Sequence, residues 1–285
     1  MTNIPEALEH IENTLDQLSD TPELDAQVIL AHVLDRPRTW LLAHPETLLS
    51  ASQLAAVESA VSQLAAGTPL PYILGHWEFF GLDFDITPAV LIPRPETELL
   101  VEKAIAWLQA SPERRTIADV GTGSGVIGVT IAMHVPDAYV VATDISLPAL
   151  QVAHRNARKF HVAEHMDFVN CNLLPAHHEF LPTDLHFDLI CANLPYIPTE
   201  TMKRLPIFGR EPTVALDGGP DGLDLIRRLL HESIEWLAPN GRIMFEIEAN
   251  QGKKALSLAC DTFSEAEIHL HQDLTARDRL LEIQL

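Results

Sequence analysis

An apolar run ends at Ala192 and is followed by four residues that could bind a planar –NH2 group: Asn193, Leu194, Pro195 and Tyr196. The Asn193 side-chain oxygen and the Leu194 carbonyl can together accept the two hydrogens of such a group. Pro195 fixes its own φ and removes a competing N–H donor, and Tyr196 offers a flat face for an amide or a base. Because Asn-x-Pro is also a common turn opener, the segment predicts chemistry only beside a site for a methyl donor.

A glycine-rich turn upstream predicts such a site. Gly121, Gly123 and Gly125 alternate with Thr122 and Ser124, after a predicted strand and before a predicted helix. Glycines let the backbone turn tightly and approach a ligand, and a helix start supplies free N–H groups. A dinucleotide fingerprint needs a glycine three residues after the second one, where this chain has valine. The spacing therefore weakens NAD as the ligand and favours S-adenosylmethionine.

Residues at the ends of the next two predicted strands extend this cofactor site. Asp144 follows Gly125 by 19 residues (144 − 125), where a carboxylate can accept hydrogen bonds from ribose hydroxyls. Alternatively, Asp144 caps the helix that begins near Ser146. Asn172 and Leu173 end the third strand, where an adenine edge and face are expected, unless they form an ordinary loop.

The composition excludes several classes of protein. Hydrophobic residues make up 47% of the 285 residues, enough for a substantial core. No run of about 18 apolar residues predicts a membrane span, and the N-terminus lacks the pattern of a signal peptide. Cys171, Cys191 and Cys260 have no metal-ligand spacing. They are typical of reduced packing residues in a cytoplasmic protein, and we expect no metal.

The charge of the chain argues against nucleic acid as a substrate. Forty acidic and nineteen basic residues give a formal net charge of -21. DNA and RNA binding depends on Lys and Arg side chains that meet phosphates, and the chain has no basic block. We therefore expect no direct nucleic-acid binding and a monomer whose acidity favours solubility.

The first third of the chain has the periodicity of amphipathic helices. Apolar residues recur at helical spacing over residues 8–18, 24–34 and 54–64. The third of these helices is predicted to begin near Ser50, with Gln53 as its capping-box partner. This pattern predicts a small helical bundle without chemistry of its own.

The rest of the chain predicts a hairpin and then an α/β sheet. Residues 77–80 and 83–86 flank a Gly-Leu pair and predict the hairpin. From Thr116 onward strands alternate with helices, which is typical of a mostly parallel, doubly wound sheet. The predicted strands are 117–120, 138–143, 167–171, 187–192 and 242–247. Two late segments, 266–271 and 279–283, lie too close for a helical crossover and predict an antiparallel edge pair.

Five segments together are typical of a single family: residues 92–98 (IPRPETE), 119–125 (DVGTGSG), 193–196 (NLPY), 211–212 (EP) and 216–223 (LDGGPDGL). In these segments, and over nearly all of its length, the chain resembles the HemK/PrmC family of release factor glutamine methyltransferases. The first segment separates this group from sister enzymes that act on a ribosomal-protein glutamine.

The resemblance implies an α/β protein with three parts. These are a small N-terminal helical bundle that recognises the substrate (residues 1–75), a β-hairpin linker (76–92) and a seven-stranded, Rossmann-like, class I S-adenosylmethionine-dependent methyltransferase domain (93–285). The implied reaction moves the methyl group of S-adenosylmethionine to the side-chain amide nitrogen of a glutamine and leaves S-adenosylhomocysteine. That glutamine belongs to the Gly-Gly-Gln motif of class I peptide chain release factors, the expected partners.

The family's site residues fall on positions already selected by their chemistry. Asn193, Pro195 and Tyr196 are the expected catalytic residues, and Leu194 joins them in binding the substrate glutamine. Asn193 also borders the cofactor. The cofactor itself is expected at Gly121, Thr122, Gly123, Ser124, Gly125, Asp144, Asn172 and Leu173.

The chain departs from the family pattern at three points. Leu194 replaces a usual proline, but its carbonyl still accepts a hydrogen bond. Asn172 replaces a frequent aspartate and keeps an acceptor oxygen without the charge. The segment 273–279 lacks an expected glycine.

Other interpretations are weaker. The exocyclic –NH2 group of adenine would also fit the clamp formed by the Asn193 side-chain oxygen and the Leu194 carbonyl, so a DNA or RNA adenine amino-methyltransferase is an alternative. Such an enzyme needs base flipping and phosphate contacts, which the charge disfavours. A silent binding module would not need the intact site residues. Arg94 and Glu98 either line the site or form a structural ion pair at a helix start, and His177 and His178 are predicted to lie in a loop.

Overall fold

The computed structural model describes residues 2–175 and 185–285, so the predicted loop at His177 and His178 lies outside the described residues. The chain forms two compact units, Met1–His76 and Trp77–Leu285. Within the described ranges, no helix combines the length and apolar character needed to cross a bilayer. The same residues contain no group of three or more His, Cys, Asp or Glu side chains placed to hold a metal ion.

The first unit is helical, as predicted. Its helices are α1 (Ile4–Leu15), α2 (Pro22–Leu34), α3 (Arg38–Ala43), α4 (Ala51–Ala65) and α5 (Leu70–Leu74). The capping box of α4 is confirmed, because Ser50 N donates to Gln53 Oε1 (2.9 Å) and Gln53 N donates to Ser50 Oγ (3.2 Å). The short helices α3 and α5 escaped prediction because six and five residues are too few to display a helical period.

The second unit begins with the predicted hairpin and continues as an α/β domain. Its elements, in chain order, are β1 (His76–Phe79), β2 (Leu82–Asp85), α6 (Glu98–Ala110), β3 (Thr116–Val120), α7 (Val126–His134), β4 (Tyr139–Asp144), α8 (Leu147–Lys159), β5 (Met166–Asn170), β6 (Phe187–Ala192), α9 (Thr199–Met202), α10 (Asp224–Trp236), β7 (Leu237–Glu246), α11 (Gly252–Thr262), β8 (Glu267–Gln272) and β9 (Asp278–Gln284). The core of this unit includes Val120, Ile190 and Phe245.

The seven-stranded sheet has the order β5-β4-β3-β6-β7-β9-β8. The strands β3 to β7 pair in parallel. β9 runs antiparallel to both β7 and β8, so the predicted antiparallel pair is confirmed. Every residue of β6 is buried, as expected for a central strand of a parallel sheet.

The predicted start of β7 was wrong. The strand begins at Leu237 rather than at Arg242. The intervening Pro-Asn-Gly sequence is typical of a turn and hid the first residues of the strand. In the structure Leu237 already pairs with Phe187, and a register shift absorbs the irregular residues before the regular ladder resumes at Arg242.

The first and fourth strands of the α/β domain are neighbours. β3 pairs with β6, and Val120 is the register partner of Ala192. Because both strands end there and run in the same direction, Gly121 and Asn193 leave the sheet side by side. This arrangement places the glycine turn opposite the Asn-x-Pro-Tyr segment.

The loop between β8 and β9 holds Ala276 in the left-handed region, with φ of 58°, within the segment that lacks its expected glycine. A left-handed backbone conformation destabilises a residue with a Cβ by about 1–2 kcal/mol. Replacement by glycine removes this strain, but it lowers the free energy of unfolding by about 0.4–1 kcal/mol because the unfolded chain gains conformational entropy. We therefore expect Ala276→Gly to raise the free energy of unfolding by about 0.5–1 kcal/mol, measured by urea denaturation. Ala266→Gly, at negative φ, is the control and should lower it; a loss in both variants would contradict the strain.

Candidate active site

A cavity of about 410 Å³ lies at the carboxyl ends of β3, β4 and β6. The order of the strands reverses here, since the chain continues from β3 to β4 and β5 on one side and returns to β6 on the other. Such crevices bind ligands in open α/β sheets. Ten of the predicted site residues line it: Gly121, Thr122, Gly123, Ser124, Asp144, Asn172, Leu173, Asn193, Leu194 and Pro195.

The glycine turn forms one wall of this cavity. Gly121 and Gly123 have φ of 71° and 57°, in the region that favours glycine. A Cβ on Gly121 would lie 3.1 Å from Leu194 Cδ2, so the turn and the Asn-x-Pro-Tyr segment meet directly. Gly125 is not among the lining residues. A Cβ there would lie 3.1 Å from the Cβ of Ala153, which places Gly125 in the packing of α7 against α8.

Asp144 lies in the cavity wall, and both of its carboxylate oxygens are held by backbone. Oδ2 accepts a hydrogen bond from Gly123 N (2.9 Å) and Oδ1 from Ser146 N (2.8 Å). Ser146 caps α8 itself, because its Oγ accepts from Ala149 N (3.3 Å). Burial raises the pKa of Asp144, against the opposing effect of its backbone donors. Each oxygen keeps a lone pair that can accept from a ligand hydroxyl.

Asn172 and Leu173 both reach the cavity but differ in setting. Leu173 is buried, has φ of 67°, and accepts a hydrogen bond on its carbonyl from Thr143 Oγ1 (2.7 Å). Asn172 is exposed, and its Oδ1 is 3.4 Å from Arg228 Nη1. Arg228 also lines the cavity, and sequence reasoning missed it. An apolar face and a polar edge thus lie together after β5.

The Asn193 carboxamide is oriented by two residues from distant segments. Its Nδ2 lies 2.8 Å from Thr97 Oγ1 and 2.9 Å from Glu246 Oε2. Thr97 in turn donates its hydroxyl hydrogen to Glu246 Oε2 (2.6 Å). The donor end of the carboxamide therefore faces Thr97 and Glu246, and Oδ1 takes part in neither bond.

Glu246 is a buried acid that sequence reasoning missed. It is 2% exposed, and burial raises its pKa to about 7, against the opposing effect of the Thr97 and Tyr196 hydroxyls. Its Oε1 accepts a hydrogen bond from the Tyr196 hydroxyl (3.2 Å). The signal available in the sequence was one acidic residue inside the apolar run of residues 243–247.

Tyr196 stands beside the main cavity. It lines a smaller cavity of about 80 Å³ together with Asn193, Leu194, Pro195 and Arg94. Burial, with the nearby Glu246 charge, raises the pKa of the Tyr196 hydroxyl. The phenol therefore stays protonated and can keep donating to Glu246.

The segment 216–223 supports the backbone of this clamp. A Cβ on Gly218 would lie 2.7 Å from Pro195 O, and a Cβ on Gly222 would lie 2.2 Å from Tyr196 O. Gln251 Nε2 donates to both Tyr196 O (2.9 Å) and Gly222 O (3.1 Å). Gly218 and Gly222 are thus needed because the backbone of the LDGGPDGL segment lies directly against the carbonyls of Pro195 and Tyr196.

Arg94 and Glu98 do not form an ion pair with each other, so that interpretation was wrong. Arg94 pairs with the buried Glu211 and lines the cavity. Glu211 also accepts a hydrogen bond from Ile92 N (3.1 Å). Glu98 Oε1 accepts from Phe80 N (2.9 Å) and ties the start of α6 to the hairpin. The EP and IPRPETE segments therefore meet through Glu211.

Asp119 supports the glycine turn from inside the sheet. It is fully buried, and its Oδ2 accepts from Thr122 Oγ1 (2.6 Å) and Gly128 N (2.9 Å). Its Oδ1 has no hydrogen-bond partner among the described residues. Burial raises the pKa of Asp119 to about 6, although both hydrogen bonds oppose the shift. These bonds fix the turn against the first residues of α7.

The strand order, the antiparallel β9 and the cavity beside the glycine turn define a class I S-adenosylmethionine-dependent methyltransferase fold. Solved structures agree with this class. A methyltransferase from Pyrococcus furiosus has a TM-score of 0.50 at 16% identity, over 82% of this chain and 98% of that one. The N-terminal domain of human METTL16, in complex with SAH, has a TM-score of 0.51 at 18% identity, over 72% and 76%. At these identities the likeness shows the fold.

Sequence comparison gives the family. The PrmC N-terminal domain model matches residues 6–75, and the methyltransferase small domain model matches residues 96–204. A release factor glutamine methyltransferase of Moorella thermoacetica is 41% identical over 261 residues, 91% of this chain and 90% of the relative. Another, of Coxiella burnetii, is 37% identical over 284 residues, 99% and 98%. The chain belongs to the release factor glutamine methyltransferase family, which confirms the family that its motifs predicted.

Proposed function

We propose that this chain methylates the side-chain amide nitrogen of the glutamine in the Gly-Gly-Gln motif of class I peptide chain release factors, with S-adenosylmethionine as donor. The orientation of Asn193 carries the proposal. Its Nδ2 is engaged by Thr97 and Glu246, so Oδ1 is the end left to accept a hydrogen from a substrate –NH2 group. The curated relatives are named for release factor glutamine methylation.

The residues around the cavity fit S-adenosylmethionine. Gly121 and Gly123 leave the space that a Cβ would fill, and Asp144 presents carboxylate lone pairs to ribose hydroxyls. Leu173 offers an apolar face and Asn172 a polar edge for the adenine. When bound, the cofactor supplies a methyl group already activated by its positive sulfur.

The clamp holds the substrate amide. An amide nitrogen is a poor nucleophile because its lone pair is delocalised, so positioning must supply much of the catalysis. Asn193 Oδ1 and the Leu194 carbonyl accept the two N–H groups and aim the nitrogen at the cavity. The same acceptors stabilise positive charge that develops on nitrogen during transfer, and the methylated nitrogen then releases one of its two protons to solvent. Pro195 stiffens the backbone between them, and Tyr196 packs beside the amide.

Replacing Asp144 by Ala tests the cofactor site. Losing hydrogen bonds to a charged acceptor costs about 1.5–3 kcal/mol for each bond, so calorimetry should record S-adenosylmethionine binding at least about tenfold weaker. Asp261→Ala, at an exposed position on α11, is the matched control and should bind normally. Equal affinity in the Asp144 variant would rule out the ribose assignment.

The proposed reaction is tested by transfer of labelled methyl from S-adenosylmethionine to a purified release factor. The label should enter the intact factor and not a factor in which the motif glutamine is replaced.

We also propose that the helical unit contacts the factor away from this motif, because one glutamine side chain offers too few contacts for selectivity. A short Gly-Gly-Gln peptide should then be methylated far more slowly than the intact factor. Equal rates would remove the recognition role.

We further propose that the chain acts as a cytoplasmic monomer without direct contact to nucleic acid. The excess of acidic residues, with a net charge of -21, supports the lack of nucleic-acid contact because phosphates would be repelled.

A further inference from the structure

The orientation of the Asn193 carboxamide is a choice between two nearly isosteric states. A half-turn about its last side-chain torsion exchanges Oδ1 with Nδ2, so neighbouring hydrogen bonds decide which atom faces the cavity. Thr97 alone does not decide, because a hydroxyl can donate or accept. Glu246 does decide when it is ionised, because a carboxylate only accepts. If Asn193 Oδ1 faced Glu246 instead of Nδ2, two acceptor oxygens would face each other with no hydrogen between them.

We propose that ionised Glu246 is a positioning residue that holds the Asn193 carboxamide with Oδ1, rather than Nδ2, toward the methyl-accepting nitrogen. Three donors converge on its carboxylate: Thr97 Oγ1 at 2.6 Å, Asn193 Nδ2 at 2.9 Å and the Tyr196 hydroxyl at 3.2 Å. This inference rests on the proposed function, since it explains how the clamp meets a substrate that donates hydrogen bonds.

Protonation of Glu246 should reverse the clamp. A neutral carboxyl carries one O–H donor that can bond Asn193 Oδ1, so Nδ2 would turn to the cavity and oppose the substrate –NH2 group. Glu96 raises the pKa of Glu246 and Arg279 lowers it, in addition to the effects of burial and of its two hydroxyl donors. With the resulting pKa at about 7, methyl transfer should weaken as the pH falls through neutrality.

Stability should move in the opposite direction over the same pH range. The pKa of Glu246 is raised from 4.5 to about 7, so the folded state retains a proton that the unfolded state releases. The free energy of unfolding therefore falls as the pH rises between these values. A residue that only supported the fold would lose activity and stability together.

Glu246→Gln separates these roles. We expect its kcat at about pH 8 to fall by about twofold or more, because a glutamine amide can donate to Asn193 Oδ1 as well as accept from Nδ2 and so no longer fixes one orientation. The KM for S-adenosylmethionine should stay within about twofold. The pH dependence of kcat near neutrality should flatten, and the melting temperature at about pH 8 should not fall, since a buried charge is removed. Wild-type kcat with an unchanged pH profile would overturn the proposal.

Three further variants accompany this substitution. Glu96→Gln removes a charge that raises the pKa of Glu246, so it should keep kcat at high pH and move the loss of activity to lower pH. Thr97→Ser keeps the hydroxyl between Glu246 and Asn193 and should keep most of the activity, whereas Thr97→Val should lower kcat. Activity lost equally in Thr97→Ser and Thr97→Val would count against a hydrogen-bonding role.

A direct readout of the carboxamide needs no release factor. The side-chain ¹⁵NH2 resonance of Asn193, assigned by its loss in Asn193→Asp, should shift with pH near neutrality in the wild-type chain and not in Glu246→Gln. A titrating resonance without any methyl transfer to release factors would reject the proposed function and support the orientation. A resonance that stays fixed between about pH 5.5 and about pH 8, on either side of the Glu246 midpoint, would overturn the inference.

Discussion

Asn193→Ala is expected to lower methyl transfer to the Gly-Gly-Gln glutamine by about 10²–10³-fold, the effect of removing one preorganised electrostatic contact at a reacting centre. The alanine variant cannot accept the substrate N–H, while Leu194 and the glycine turn stay in place. Its affinity for S-adenosylmethionine should change far less than its kcat. Steady-state kinetics and calorimetry measure the two quantities separately.

Asn193→Asp and Asn250→Ala complete this comparison. The aspartate variant keeps acceptor oxygens but loses Nδ2, and it sets a second carboxylate against Glu246. Like charges at this distance cannot both ionise in a buried site, so we expect it to be almost as slow as the alanine variant. Asn250 is exposed, and within the described part of the chain its side chain bonds to Glu248, so Asn250→Ala should behave like wild type. Near-normal turnover of Asn193→Ala would reduce the Asn-x-Pro-Tyr segment to a turn.

Gly222→Ala should have the second large effect. Gly222 has φ of 79°, and its added Cβ would lie 2.2 Å from Tyr196 O and 2.5 Å from Gln251 Nε2. Left-handed strain and steric overlap together should lower the free energy of unfolding by about 2–4 kcal/mol. The overlap pushes on the Tyr196 carbonyl, so the folded fraction should also methylate more slowly.

Gly209 supplies the control for this substitution. It has a similar φ of 75°, but a Cβ there would meet nothing within 4 Å. Gly209→Ala should therefore cost only the conformational strain net of unfolded-chain entropy, about 0.5–1 kcal/mol, and leave kcat unchanged. Chemical denaturation of both variants gives the difference. Equal losses of unfolding free energy in the two variants would mean that the structure relieves the overlap with the Tyr196 carbonyl at no cost in stability.

Much of the fold could be predicted because its signals are local. β6 occupies the predicted residues 187–192, since a short apolar run bounded by polar residues marks a buried strand. The capping box at Ser50 and the antiparallel β8–β9 pair also follow from neighbouring residues. By contrast, a turn-like Pro-Asn-Gly sequence concealed the start of β7, because only its pairing with β6 shows that the strand has already begun.

The candidate site divides in the same way. The positions of Gly121, Asp144 and Asn193 follow from where strands end, so the sequence predicted that they would gather in one crevice. The partners of those residues do not follow. Glu246 lies within an ordinary apolar strand pattern, and only the packed sheet brings it to Asn193. Likewise, the packing of α7 against α8 is a requirement for Gly125 that the sequence did not show, because Ala153 of α8 lies against it.

The clamp has a consequence for how the chain matures during synthesis. Asn193 is 96 residues from Thr97 and 53 residues from Glu246, so no local segment contains the oriented carboxamide. We expect contacts with such separations to form late, because the entropy of closing long loops must be overcome before they are made. We expect the glycine turn to form early in a growing chain. The chain should nevertheless lack methyltransferase activity until β7, which carries Glu246, has joined the sheet. On refolding, methyl transfer should therefore return with the slow closure of the sheet, after the helical signal has recovered.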